Sequence, residues 1–283
     1  MTQDILAYGA LASFILGAVA AIAGFRYEAF KRPGWQFVLA GLGVVLKTAA
    51  IGEACGKSGA THFFNSVSDI YGLMAWALAL SYLLALFISR ARSLGALALP
   101  AVAALMALSI ASDKTQTQLA TPPALFATHI ICAFLGYGLF LTACGASVLY
   151  LEQNRLLKRK TFGVLFQDLP SLERLERLEI LCSRLGLLIF TVALATGIEM
   201  AAKSSGVNWF DWKILSTVVT WLVFFLLVTG RALRWINGRT AAKCVLAGAG
   251  LVLVTFMLGH PLEKKSTTAG QTPGIGFRNR RAA

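Results

Sequence analysis

What most constrains this chain is a series of apolar stretches, at roughly 4–24, 35–51, 66–89, 94–111, 123–151, 180–202, 212–231 and 241–259. A helix needs about 20 apolar residues to cross a bilayer core, and all but the second and fourth stretches come near or exceed that length. Backbone in lipid must satisfy its own hydrogen bonds, which an α-helix does within one segment. The sequence therefore predicts an all-α, polytopic membrane helix bundle of about eight transmembrane helices. Composition agrees, with 57% hydrophobic and 14% charged residues, against roughly 45–50% and 25% in soluble domains. A net charge of +13 would suggest a nucleic-acid partner for a soluble protein. In a membrane chain the basic residues set orientation instead, so the partner expected is the lipid bilayer and not nucleic acid.

The connectors separate by charge. One set carries Arg26, Lys31 and Arg32; Arg90 and Arg92; Arg155, Lys158, Arg159, Lys160, Arg174 and Arg177; and Arg231, Arg234, Arg239 and Lys243. The other carries Lys57, Lys114, Lys203 and Lys213 before the C-terminal tail. Short cytoplasmic loops are the positive ones, which predicts both termini in the periplasm and a multi-pass protein of the bacterial inner (cytoplasmic) membrane. The N-terminal MTQDILAYG has an acid and no basic start, so it reads as the first permanent span and not as a cleaved signal. Cys55, Cys132, Cys144, Cys182 and Cys244 form no C-x-x-C pair and read as small buried hydrophobes. Leu172, Leu175, Leu178 and Leu181 recur every third residue among Glu173, Arg174, Glu176, Arg177 and Glu179. That pattern reads as an amphipathic helix at the membrane surface leading into the sixth span, or, with more weight, as a solvated elbow between helices. Residues 1–262 form the transmembrane domain in this reading, and the Gly- and Arg-rich 263–283 a disordered basic tail.

All three histidines fall on the predicted outer side. His62 lies before the third span, His129 in the first turns of the fifth and His260 at the exit of the eighth. On that side GVNWFDWKIL also packs Trp209, Phe210, Asp211, Trp212 and Lys213 into one short connector. Haem iron accepts imidazole axial ligands, porphyrin accepts flat aromatic neighbours, and a lysine suits a propionate. Tryptophans at a helix start are also the ordinary aromatic belt of a membrane protein, which accounts for Trp209, Trp212, Trp221 and Trp235. Asp211 also suits a helix N-terminus. On spacing alone the belt reading carries more weight.

Order along the chain shifts that balance. Phe210-Asp211-Trp212-Lys213 occupies the W-D-P-K positions of a tryptophan-rich loop. Thr220-Trp221, Arg231 and Gly238-Arg239-Thr240-Ala241-Ala242 then follow at the spacing of a T-W, an Arg and a G-R-R-A-A turn. Upstream, Leu169-Pro170-Ser171-Leu172-Glu173 with Leu175-Glu176 matches L-P-S-L-E-x-L-E, Thr128-His129-Ile130 precedes Gly136-Tyr137, and Asp69 to Trp76 matches a Y-E-S-L-x-F-x-x-W helix. Over roughly residues 60 to 260 the chain resembles the CcsA/CcmC/CcmF-type haem-handling proteins of cytochrome c assembly, and within them the shorter HemX/YpjD-like branch. It departs from them at Trp212 for Pro and Ile214 for Glu, and His260-Pro261 stands offset from the family's G-L-H-S-Y-G histidine.

The resemblance implies a protein that is not an enzyme but holds haem b at the periplasmic face for cytochrome c biogenesis. It implies haem-iron ligation by His129 and His260, with His62 in reserve, and a platform of Trp209, Phe210, Asp211, Trp212 and Lys213. Its expected partners are other cytochrome c assembly proteins and an apocytochrome c, whose C-x-x-C-H attachment motif this chain lacks. Two alternatives stand beside it. One is a HemX-like membrane regulator of haem biosynthesis acting through the basic Arg155–Arg177 loop. The other is an ion-transport accessory protein, for which Lys47 is the one basic residue within a span unless it snorkels outward.

Overall fold

Lipid leaves a polypeptide few ways to satisfy its backbone, and this chain uses helices. The computed structural model describes residues 2–27, 33–58, 66–112, 123–160, 169–203 and 210–258. They form α1 (Thr2–Ala23), α2 (Pro33–Ser58), α3 (Val67–Ser89), α4 (Gly95–Ala111), α5 (Pro123–Lys158), α6 (Leu172–Lys203), α7 (Trp212–Ala232) and α8 (Gly238–Leu258). A single 3-10 turn at Arg92–Leu94 joins α3 to α4. Eight helices are long and apolar enough to span a membrane, and no strand occurs among the described residues.

The helices pack as two groups that share α3. Helices α1, α2, α3 and α4 pack around one another, while α5 lies against α3, α6 and α8, and α7 against α6 and α8. Lipid supplies no hydrophobic drive between helices, so close backbone approach has to. Gly138 of α5 shows it: a Cβ there would lie 2.7 Å from the Ala77 carbonyl oxygen of α3. At mid-depth Phe140 of α5 stacks on Phe224 of α7, with centroids 3.6 Å apart and planes 10° off parallel. Phe190 of α6 meets the same ring edge-on at 5.7 Å. All three rings are buried.

Polar pins tie the helix ends together. At one end the Ser68 and Ser109 hydroxyls each donate to the other's backbone carbonyl, 2.6 and 2.7 Å, joining α3 to α4, and Thr2 donates to Glu53, joining α1 to α2. Phe256 of α8 lies edge-on to Tyr71 of α3 and Phe134 of α5 at this same end. At the other end the Tyr82 hydroxyl of α3 donates to Gln36 of α2 at 2.8 Å. Helices α3, α5 and α7 finish at that second end, each with a basic residue at positive φ just beyond: Arg90 at 51°, Lys160 at 53° and Arg234 at 58°. Such a left-handed residue closes a helix, and a cation there complements the helix dipole. The described members of the basic set thus gather at one end of the bundle.

Three sequence expectations change. The leucine repeat at 172–181 does not form a separate surface helix, because it opens the continuous α6. Leu175 and Leu178 are buried, since α5 runs on to Lys158 and offers them protein to cover. Lys47 does not snorkel to the surface either. It is 7% exposed and packs over Gly72 beside Ser109, with Asp69 as its charge partner. Trp221 leaves the aromatic belt: it sits in the middle of α7, stacks on Phe225 at 5.0 Å and donates its indole N–H to the Thr191 hydroxyl of α6 at 2.9 Å.

Candidate functional site: the His129 cleft

His129 stands in the second turn of α5, where the chain has just entered its apolar run. Across from it, α6 presents Ala193, Gly197 and Ala201, small residues four apart that fall on one face of a helix. Where α6 ends and α7 begins, the three helices leave a cavity of about 230 Å³. His129, Ala133 and Tyr137 line it from α5, Phe190, Ala193, Gly197 and Ala201 from α6, and Ile214 and Thr217 from α7. The walls are mostly apolar, with three polar groups. The Tyr137 and Thr217 hydroxyls are hydrogen-bonded to each other, so the least committed polar group in the cleft is the imidazole.

The imidazole is oriented. His129 Nδ1 lies 2.8 Å from the Ala193 carbonyl oxygen. A carbonyl only accepts, so Nδ1 carries the proton and donates, which leaves the Nε2 lone pair on a neutral ring. Nε2 has no hydrogen-bond partner among the described residues. A half-buried imidazole with one nitrogen fixed by a backbone carbonyl and the other uncommitted is the arrangement metal-ligating histidines use. The chemistry of the donor set thus fits haem, and Gly197 leaves room for the ring. The cavity is below the roughly 300–1,000 Å³ of sites that enclose a ligand, so it would take part of a porphyrin and leave the rest outside.

The other expected site residues divide. Phe210, Asp211 and Trp212 stand exposed at the start of α7, at the same end of the bundle as His129, but do not line the cavity. Their neighbour Ile214 does. Trp209, His62 and His260 lie outside the described residues, as does the Lys213 side chain. No group of three or more His, Cys, Asp or Glu residues that could hold a metal ion occurs among the described residues. Gly197, Ala193 and Thr217 were not singled out in the sequence, although the A-x-x-x-G-x-x-x-A spacing in the sixth span is visible there.

A second polar cluster, also unforeseen, occupies the opposite end. Arg231 of α7 donates to Glu176 at 2.7 Å and lies 3.4 Å from Glu179, both on α6. Glu179 and Ser183 are buried, as is Ser147 of α5. The sequence suggested only surface charges on that stretch of α6.

The fold is that of a multi-pass helical membrane bundle, with a mostly apolar cleft that His129 lines near one end. The chain belongs to the family described as Cytochrome C assembly protein, whose model matches residues 66–260, and it is a multi-pass protein of the bacterial inner membrane. The match takes in the cleft, includes His260 as its last residue and leaves out α1, α2 and His62. Protein HemX of Bacillus subtilis (strain 168) is 30% identical over 140 residues, 48% of this chain and 50% of that one. Protein HemX of Brevibacillus brevis is 25% identical over 142 residues, 47% and 49%. The chain thus spans about half the length of the curated relatives it matches. No solved structure matches.

Proposed function

We propose that the protein holds haem b at the periplasmic face of the inner membrane for cytochrome c assembly, with His129 Nε2 as one axial ligand. The observation that carries this is the imidazole, fixed through Nδ1 to the Ala193 carbonyl at 2.8 Å with Nε2 uncommitted beside an apolar cavity. Haem held by His129 and a second histidine would supply an iron centre coordinated by imidazole, a role in which the chain would carry the group. The chain's own work is to hold and orient. His260 is the preferred second ligand because the family match reaches it, whereas His62 falls outside the match. Trp209, Phe210 and Trp212 would supply flat cover for the part of the ring outside the cavity, with Asp211 and Lys213 at its edge. Other cytochrome c assembly proteins and an apocytochrome c bearing C-x-x-C-H are the partners this role requires.

The visible spectrum of the detergent-solubilised protein tests the reading. A Soret band with sharp reduced α and β bands is expected. His129→Gly and His260→Gly each lose the low-spin spectrum and recover it with added imidazole, while His62→Gly is nearly silent. If no haem is ever found, or none of the three changes alters the spectrum, the reading falls. Damage from His62→Gly together with a silent His260→Gly would reassign the second ligand.

A further inference from the structure

We infer that Gly197 and the Ala193 carbonyl of α6 act as a positioning pair for His129, holding it as the Nδ1–H tautomer so that Nε2 is the ligating atom. Only the ligation part rests on the haem reading. The tautomer follows from the structure whether or not haem binds.

Two contacts carry the inference. The 2.8 Å hydrogen bond fixes the proton on Nδ1, because its partner has no hydrogen to give. The ring reaches that carbonyl only by lying over the α6 backbone at Gly197. A Cβ there would stand 2.8 Å from His129 Cε1 and 3.1 Å from Nδ1, so even an alanine drives the ring off the position from which it donates. The Thr196 hydroxyl already donates to the same Ala193 oxygen at 3.0 Å, so that acceptor keeps a partner once the imidazole leaves. The ring is then free to rotate and exchange its proton between nitrogens. Gly197 is thus a positioning residue that acts through His129.

The test has one readout without haem and one with it. Three histidines in the chain make histidine-labelled 15N NMR of the detergent-solubilised protein tractable, and His129→Gln assigns the His129 signals. Above neutral pH the wild type should show a protonated Nδ1 and an unprotonated Nε2. Gly197→Ala should shift these signals toward a tautomer mixture with the helical circular dichroism unchanged. Gly41→Ala, where a Cβ meets nothing within 4 Å, is the control and should leave them in place. In haemin titrations Gly197→Ala should bind about 10–100-fold more weakly, the usual cost of losing an outer-shell partner, with added imidazole restoring the low-spin spectrum. A wild-type His129 protonated on Nε2, or a Gly197→Ala protein with unchanged tautomer and unchanged haemin affinity, overturns the inference. The expected tautomer behaviour in a protein that takes up no haem would uphold the positioning pair and sink the haem reading instead.

Discussion

At the scale of single residues, the two ends of the bundle do different things with charge and polarity. At the cleft end the His129 imidazole, fixed through Nδ1, borders an apolar cavity. At the opposite end Arg231, with a side chain 10% exposed, is held by Glu176 and Glu179, and nothing about that arrangement invites exchange. Removing one partner of a buried ion pair strands the other charge, which costs about 3–5 kcal/mol. Arg231→Met should therefore lower the thermal unfolding midpoint sharply, and adding Glu179→Gln should recover part of the loss because the stranded carboxylate goes. A single variant as stable as wild type would show that the cluster does not hold α6 to α7. Little of this is visible in sequence. Glu179 sits in a charge-rich stretch that reads as solvated, and only the arrival of α7 beside it reveals that it faces inward.

At the scale of elements, most of the architecture is legible because apolar length alone dictates it in lipid. Every span expected from the sequence is a helix, with ends that differ by a few residues, except at the second, where α2 runs on to Ser58, and at the fifth and sixth. There α5 and α6 run to 36 and 32 residues, well beyond the apolar runs. Hydropathy ends where lipid ends, whereas a helix can continue wherever another helix covers it, and Leu175 and Leu178 are covered. Side-chain direction is the part that sequence could not give. Residue type assigned Trp221 to the membrane surface and left Lys47 open between span interior and surface. Lys47 is buried over Gly72 with the Asp69 charge acting on it, and Trp221 is tied at mid-helix to Thr191 of α6. The gathering of basic residues at one end supports a definite orientation. Reporter fusions after Arg92 and after Asn237 should report cytoplasm, and fusions after Lys114 should report periplasm. The reverse pattern would put the His129 cleft on the cytoplasmic side and remove the periplasmic part of the proposed function.

At the scale of the whole molecule, the cleft and the ionic cluster share the same three helices, α5, α6 and α7, and lie at opposite ends of them. The cavity stops at Tyr137 and Phe190, and the layer of Phe140, Phe190 and Phe224 fills the cross-section beneath it. These rings lie between the cleft and the ionic cluster. A membrane at 100 mV puts about 2.3 kcal/mol on each elementary charge that crosses it, and any continuous file of water through the bundle would discharge that gradient. The stacked Phe140–Phe224 pair and the edge-on Phe190 ring stand where such a file would have to pass between α5, α6 and α7. Proteoliposomes carrying the protein should hold an imposed proton gradient as long as protein-free vesicles do, and a faster decay would revive the ion-transport reading.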